Sequence, residues 1–243
     1  MKMLYFARRN ALELLRDPLN LLFGLAFPLV ILLLLTTIAA SAPVPLFQLQ
    51  SLTPGIVVFG FSFFTLFSGL LIAKDRSSSF LLRLYTAPLR ARDFLFAYTL
   101  PLFPLALGQA VACYLAALGL GLPGTLNILP ALAVGLPTSF LYIGLGLLCG
   151  SLLNEKQVGG ICGALLTNLT AWLSGAWFDL DLVGGAFAAI ANLLPFVHAV
   201  EAGRAALAGQ WARVGPELLW VLGWSLVIWF LAVWAYTNSM RRK

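Results

Sequence analysis

The side chains that could do chemistry are few in this chain, and they gather in two places. Five of the fifteen Lys and Arg residues lie between positions 74 and 93, in a charged loop. The single histidine, His198, precedes Glu201 and Arg204 at intervals of three residues, so the three side chains could share one helical face. This second group is either a functional polar cluster or a solvated surface, and the spacing alone does not choose between them.

The long apolar segments of the chain contain no acid, base or metal-ligating set. Catalysis needs such groups in defined positions, and ion-coupled transporters usually carry an ionisable side chain near the middle of the membrane. The three cysteines lack the spacing of metal ligands, and no GxxxxGK[ST] loop that could hold ATP occurs. The sequence therefore predicts no catalytic residue, no metal site and no cofactor in this chain. Any energy for transport must come from a partner.

Composition defines the class of protein. The chain of 243 residues is 61% hydrophobic and 10% charged, with a mean hydropathy of +0.95, which leaves too little polar surface for a water-soluble globule. Its net charge of +6 comes from short basic clusters beside apolar runs, a pattern typical of loops that face anionic lipid. We therefore expect an integral membrane protein in contact with membrane lipid, and no nucleic-acid partner.

Six uncharged runs are long enough to cross a bilayer core of about 30 Å as helices. They cover residues 19–40, 54–73, 94–119, 128–153, 158–178 and 218–237, within one membrane domain over 1–243. With the N-terminus inside, thirteen of the fifteen Lys and Arg residues fall on the cytoplasmic side, in agreement with the positive-inside rule. Both termini are thus expected in the cytoplasm.

Two further segments are expected to touch the membrane without crossing it. Apolar residues recur at helical spacing within residues 1–18, at Leu4, Ala7, Ala11 and Leu15. This predicts an amphipathic helix on the cytoplasmic membrane surface. The outer segment 179–213 contains an uncharged stretch, 182–200, that is interrupted by Gly, Asn and Pro. Its composition favours a re-entrant hairpin in the outer half of the membrane, with a wholly external segment as the alternative.

The charged loop also contains the pattern of a short amphipathic helix. Ser77 or Ser78 can cap this helix, and Pro88 ends it. Its apolar ridge is formed by Phe80, Leu81, Leu84 and Tyr85. Such a ridge suits insertion into a groove of a partner protein, although a basic loop whose apolar side touches lipid would show the same pattern.

The order of these elements resembles the permease subunits of the ABC-2 family, bacterial ABC exporters whose membrane and ATPase parts are commonly separate chains. Three motifs carry the resemblance: a Pro-Gly pair that opens the second span, an acidic-Arg pair before a short helix and a Pro, and a Ser-Gly pair before a bulky residue, a Pro and an Arg. They are matched by Pro54, Gly55, Asp75, Arg76, Leu84, Pro88, Leu89, Ser174, Gly175, Phe178, Pro195 and Arg204. The sequence departs from the family at Ser77 and Ser78, where members often have Glu and Gly, and by lacking a Pro near the start of the outer hairpin.

The resemblance implies a function for the charged loop. Residues 74–93 would form the coupling helix that docks on a separate ABC ATPase. The coupling residues would be Asp75, Arg76, Phe80, Leu81, Leu84, Tyr85 and Pro88. The partner would bind ATP and Mg, and the working unit would hold two ATPases and two permeases, the second permease being a copy or a paralogue. The chain would be an export permease in a bacterial inner membrane.

The same resemblance implies a cargo path between the two permeases, lined largely by spans one, two and five. Its candidate residues are Phe59, Phe63, Thr65, Phe67, Thr167, Asn168 and Thr170. Aromatic rings with a few hydroxyl and amide groups suit an amphiphilic or lipid-like small molecule, whereas rings that face lipid are the commoner explanation for any single phenylalanine. Export of a polysaccharide or a peptide is the alternative, followed by transport without ATP.

Overall fold

The computed structural model describes residues 2–41, 44–77 and 91–241, and the regular structure within these ranges is helical throughout. The helices are α1 Lys2–Arg16, α2 Pro18–Ser41, α3 Leu49–Ser77, α4 Ala91–Thr99, α5 Leu102–Gly119, α6 Ile128–Leu152, α7 155–173, α8 Gly185–Leu193, α9 Pro195–Leu207 and α10 Trp211–Arg241. Two of them contain π-helical turns, which are Leu22–Ala26 in α2 and Gly159–Leu166 in α7. The expected all-α membrane fold is confirmed.

Within the described residues, five helical segments are long and apolar enough to cross a membrane: Pro18–Ser41, Leu49–Ser77, Leu95–Gly119, Ile128–Leu152 and Trp211–Ser239. The bent pair Gly185–Leu193 and Pro195–Leu207 makes a sixth if it is counted as one span. The segment expected as the fifth span, 158–178, is not among them. Its helical part, α7, ends at Leu173 and begins with the polar turn Glu155, Lys156 and Gln157, which lowers the mean hydropathy of the helix more than the polar residues of its second half do. Length and composition alone therefore do not identify this crossing, and its position in the fold has to decide.

Helix α7 and the residues directly after it accompany α3 over most of its length. At one end Ser77 Oγ donates a hydrogen bond of 2.6 Å to Glu155 Oε1, and at the other end a Cβ on Gly55 would lie 3.0 Å from Ala176 Cβ. The stretch of α3 between these two contacts is about 33 Å long at 1.5 Å per residue, close to the thickness of a hydrocarbon core. This geometry supports a sixth crossing at α7.

Helices α8 and α9 form a hairpin that enters and leaves at the same end of the bundle. The two helices meet at 75°. The C-terminal end of α9 lies beside the first turn of α6, because Asn127 Nδ2 donates to Leu207 O at 3.2 Å. The bend lies deeper, where Trp224 Nε1 of α10 donates to Leu193 O at 3.1 Å. Phe187 at the start of α8 packs on Phe178, five residues beyond α7, so α8 begins near the end of the bundle at which α9 finishes. This arrangement supports the predicted re-entrant segment.

Helix α3 forms the centre of the bundle, and 89% of its most apolar window is buried. It packs on α6 at two glycines, since an added Cβ at Gly146 would overlap Ser68 and Thr65, and one at Gly150 would overlap the backbone of Gly69. The close approach lets Ser68 Oγ donate to Ile143 O at 3.1 Å. Small residues of this kind allow helices to pack tightly in a membrane, where hydrophobic attraction between helices is absent.

Helix α1 forms as expected, but its buried face differs from the predicted one. Phe6, Asn10 and Leu14 are buried against the protein, whereas Leu4 and Leu15 are 57% and 50% exposed. The helix therefore has two apolar sides, one for the bundle and one for the membrane surface. Of the residues of the predicted apolar face, Leu4 and Leu15 face away from the protein, whereas Ala7 is buried with Phe6 and Leu14.

Candidate coupling and transport site

The last turns of α3 hold a buried carboxylate, Asp75, which is 2% exposed. Its Oδ2 atom forms an ion pair of 2.6 Å with Arg9 Nη1 of α1 and accepts a hydrogen bond of 2.9 Å from the Tyr98 hydroxyl of α4. Phe6 packs edge-on against the Tyr98 ring, with 5.0 Å between the ring centres. Asp75 thus connects the beginning of the charged loop to the interfacial helix and to the helix that follows the loop.

Arg9 is embedded in a small network of charges. It also pairs with Glu13 at 3.0 Å, and Glu13 in turn pairs with Lys74 at 2.7 Å. Partial burial acts to lower the pKa of Arg9, but the hydrogen bond to Asp75 and the charges of Asp75 and Glu13 outweigh it and raise the pKa. Arg9 is therefore a permanent cation that holds α1 against the end of α3.

Arg76, the neighbour of Asp75, binds a different helix. Its Nη1 atom donates to the Gly150 carbonyl at 2.7 Å and to the Leu153 carbonyl at 3.4 Å, both at the C-terminal end of α6. A cation at this position also interacts favourably with the negative end of the helix dipole. The acidic-Arg pair therefore fixes the start of the loop to α1, α4 and α6 at once.

The coupling residues predicted from the sequence fall into two groups. Asp75 and Arg76 lie at the anchor just described, where their side chains contact the membrane domain. The other predicted coupling residues, Phe80, Leu81, Leu84, Tyr85 and Pro88, lie outside the residues that the structure describes. Sequence reasoning missed Arg9 and Tyr98, because nothing in a spacing of 66 or 23 residues links them to Asp75.

The three phenylalanines predicted for the cargo path lie together on one side of α3. Phe59 and Phe63 are each 6% exposed, and Phe67 is 3% exposed. Phe63 stacks on Phe23 of α2 at 5.8 Å between ring centres, and Phe59 meets Trp177 at 5.0 Å. This aromatic cluster fills the space between α2, α3 and the residues that directly follow α7.

The hydroxyl and amide residues predicted for the path do not converge. Thr65 is buried on the opposite side of α3 and donates to Tyr142 O of α6 at 3.0 Å. Thr167 and Thr170 are buried within the protomer, whereas Asn168 is exposed and donates to Ala164 O at 2.8 Å. Asn168 is thus the predicted polar residue that α7 presents outward, one turn before the exposed Trp172.

The outer polar residues are brought together, with one change from the expected pattern. Glu201 and Arg204 pair at 2.8 Å, as their shared helical face predicted. His198 instead contacts Glu217 of α10 through Nδ1 at 2.6 Å and Asn192 O through Nε2 at 2.8 Å. The imidazole therefore ties α9 to α10 and to the end of α8.

Arg204 holds α9 to neighbouring segments of the bundle. It donates to Ser51 O at the start of α3 at 3.0 Å and to Gly175 O beyond α7 at 2.9 Å. A polar cavity of about 480 Å³ lies here, lined among others by Asp179, Arg204 and Arg213. Among the described residues, no group of three or more His, Cys, Asp or Glu side chains is arranged to hold a metal ion.

The helical domain has a hairpin at one end and, at the other end, a loop whose start is held by an ion pair and hydrogen bonds. These features define a multi-pass membrane protein. Comparison with known proteins gives its family. The model of the family described as ABC-2 type transporter matches residues 2–208. The chain therefore belongs to the ABC-2 type transporter family, whose members are transport membrane subunits that generally work with an ABC ATPase.

A curated relative agrees with this family. Over 120 residues the chain is 35% identical to a protein of Porphyra purpurea named "Putative transport permease ycf38", and the match covers 47% of this chain and 41% of that protein. The chain thus matches less than half of the relative's length. No solved structure matches the chain.

Proposed function

We propose that the chain is the membrane subunit of an ATP-driven exporter that moves an amphiphilic or lipid-like small molecule out of the cytoplasm. A separate ABC ATPase docks on the loop 74–93 and carries the ATP and Mg. A second permease, either a copy or a paralogue, completes the path. The ATPase pair closes on ATP, and the loop transmits this closure as a change of access across the membrane.

The contacts that hold the start of the loop to α1, α4 and α6 support this coupling role. The Asp75–Arg9 ion pair leads from the loop to α1 and so to the first span, and the Arg76 hydrogen bonds lead to α6. The ion pair of 2.6 Å and the Arg76–Gly150 hydrogen bond of 2.7 Å are short and involve charged groups, which makes them stronger than neutral hydrogen bonds. A force applied to the loop would therefore reach several spans at once.

The distribution of basic residues supports an inner-membrane location with both termini in the cytoplasm. The basic residues of α1, the end of α3 and the start of α7 lie at the end of the bundle that carries the charged loop. At the other end stand Arg204 and Arg213. The positive-inside rule assigns the basic end to the cytoplasm, and the re-entrant hairpin then belongs to the outer half of the membrane.

The choice of cargo rests on the aromatic cluster of the first two spans. Phe59, Phe63 and Phe67 offer apolar contacts with few groups that could bind a sugar or a peptide backbone. This favours an amphiphilic or lipid-like molecule over a polysaccharide or a peptide. A separation of α2 from α3 would expose these rings to a second permease or to cargo.

Charged substitutions on the loop's apolar ridge test the proposal. Leu81→Glu or Leu84→Glu would bury an unpaired carboxylate at the ATPase contact, at a cost of about 2–5 kcal/mol in lost packing and desolvation. Co-purification of the cognate ATPase should fall about thirtyfold or more, since about 1.4 kcal/mol is tenfold in affinity. Arg83→Ala, on another face, is the control and should cost at most about 1 kcal/mol.

The three variants should insert into the membrane equally, because the loop lies outside the spans. Permease levels are therefore matched before the ATPase pull-down and the export assay. Normal ATPase binding and normal export in both Glu variants would refute the coupling assignment. Export by the permease without any ATPase would favour an ATP-independent transporter instead.

A further inference from the structure

A lateral cleft of about 240 Å³ opens between α2 and α5, with α3 as its floor. Its wall is almost wholly apolar and includes Leu25, Phe67, Leu105 and Gly108. Leu25 is 40% exposed, and Gly108 is exposed on α5. Only 18% of the most apolar window of α2 is buried, so the mouth of the cleft opens on an exposed apolar surface that suits the hydrocarbon of a bilayer.

The π-helical turn Leu22–Ala26 shapes this cleft. Gly24, at its centre, lies directly on the floor, where an added Cβ would come within 2.8 Å of Phe67 Cε2. The absence of a side chain lets α2 approach α3 here, and the widened turn places Leu25 at the mouth. Single π-helical turns inside α-helices are rare and frequently mark functional sites.

The cleft ends at a basic corner of the protein, between α1 and α2. Leu14 and Asn20 line the cleft on either side of this corner in the chain. Arg16 lies between them and is exposed, and it forms no ion pair or hydrogen bond with any residue that the structure describes. A polar hollow of about 630 Å³ beside the corner is also lined by Arg16.

Charge complementarity identifies the head group that this corner suits. The hollow is lined by three basic residues, Arg9, Arg16 and Lys74, against two acidic ones, Glu13 and Asp17. Arg9 and Lys74 already pair with Asp75 and Glu13, and the Asp17 carboxylate caps the start of α2 by accepting hydrogen bonds from the backbone N–H groups of Leu19 and Asn20. Arg16 is therefore the cation that is left to bind an anion at the membrane surface, where basic side chains attract acidic lipids.

We propose that the lateral cleft binds one acyl chain of an anionic phospholipid from the leaflet at the basic end, with the lipid phosphate on Arg16. An apolar cavity of about 150 Å³ holds a benzene molecule, so the cleft has room for a longer segment of hydrocarbon. The bound lipid would fill the gap between the first span and α5, beside the aromatic cluster of α3. This site does not depend on the ATPase or on the cargo.

Photo-crosslinking in nanodiscs tests the site. The purified protein is placed in phosphatidylcholine nanodiscs with a small fraction of phosphatidylglycerol that carries a diazirine on one acyl chain, and labelled peptides are mapped by mass spectrometry. Adducts should concentrate on residues 14–25 and 104–112. The same diazirine chain on phosphatidylcholine should label these segments about fivefold less, the factor expected for one basic residue near an anionic head group.

Two pairs of matched variants separate the chain from the head group. Gly108→Leu should fill the cleft and reduce labelling at least about fivefold, whereas Gly119→Leu, on the same helix, should not. The two glycines are a matched pair because a Cβ at either one meets nothing within 4 Å. Arg16→Gln should lower phosphatidylglycerol labelling about fivefold, and the exposed Arg8→Gln should leave it unchanged.

Several outcomes would overturn the proposal. Adducts spread evenly over the lipid-facing helices would show ordinary boundary lipid. Equal labelling by the two lipids, or no effect of Arg16→Gln, would remove the anionic head group. Labelling that Gly108→Leu leaves intact, or that a lipid-like cargo displaces completely, would also contradict it. If Gly108→Leu does not fold, the comparison of the two lipids and the Arg16→Gln variant still decides.

Discussion

The ion pair between Arg9 and Asp75 should be more sensitive to loss of the arginine than to loss of the carboxylate. The Asp75 side chain is 3% exposed and that of Arg9 is 37% exposed. Arg9→Gln leaves a buried carboxylate without the cation that contacts it, which costs about 3 kcal/mol, at the lower end for a buried pair because Arg9 is partly solvated. Asp75→Asn keeps an acceptor for the Tyr98 hydroxyl and leaves Arg9 paired with Glu13, so it should cost about 1.5 kcal/mol.

The double variant Arg9→Gln with Asp75→Asn tests the coupling between the two side chains. Once the carboxylate is gone, loss of Arg9 no longer removes an ion pair from a buried charge, so the two changes together should cost about 2 kcal/mol rather than the sum of about 4.5 kcal/mol. Thermal unfolding of the purified protein in detergent measures this, since 1 kcal/mol corresponds to about 2–4 °C in a chain of this size. Arg8→Gln is the matched control and should change stability by less than about 0.5 kcal/mol.

Two results would refute this reasoning. Asp75→Asn could prove as destabilising as Arg9→Gln, which would mean that the carboxylate is well solvated without its cation. The double variant could also equal the sum of the single variants, and the two side chains would then act independently.

Three further predictions follow from the packing and the topology. Gly150→Ala should lower stability by about 1–3 kcal/mol because its methyl group would overlap the backbone of Gly69. The control Gly159→Ala, where an added Cβ meets nothing within 4 Å, should be neutral or slightly stabilising in the same unfolding assay. Equal effects of the two substitutions would contradict the α3–α6 contact. Cys149 of α6 packs against the buried cluster that contains Cys162 of α7, so copper-phenanthroline oxidation should reduce the number of maleimide additions after denaturation from three to one, and three additions after oxidation would contradict the position of α7 beside α6. In a cysteine-free background, an impermeant maleimide should label Arg213→Cys in intact cells and Met240→Cys only after lysis, and labelling at 240 from outside would contradict six crossings.

Much of the fold could be predicted because apolar length is a direct consequence of membrane thickness. The uncharged runs identified the helices, and the Gly, Asn and Pro residues of 182–200 identified the break between α8 and α9. The π-helical turns could not be predicted, since they arise where α2 and α7 pack on the same part of α3, near Phe67 and Gly69. The side of α3 that carries Thr65 could not be predicted either, because the sequence of a fully buried helix has no polar face.

The candidate site was predictable in its location but not in its contacts. Asp75 and Arg76 stood out because they interrupt an uncharged chain, and family resemblance gave them a coupling role. Their partners, Arg9, Tyr98 and the carbonyls at the end of α6, come from distant parts of the sequence and meet only in the folded bundle. For the same reason, His198 was grouped with Glu201 on its own helix, while its carboxylate partner is Glu217 on the next helix.

ATP-dependent transport in proteoliposomes tests the central claim most directly. The permease is reconstituted with its cognate ATPase, and movement of a fluorescent amphiphile is followed after ATP is added to the side that carries the ATPase. The account predicts transport that requires both ATP and the ATPase and that is lost in Leu84→Glu at equal permease content. Transport at the same rate without the ATPase, or undiminished transport by Leu84→Glu, would contradict it.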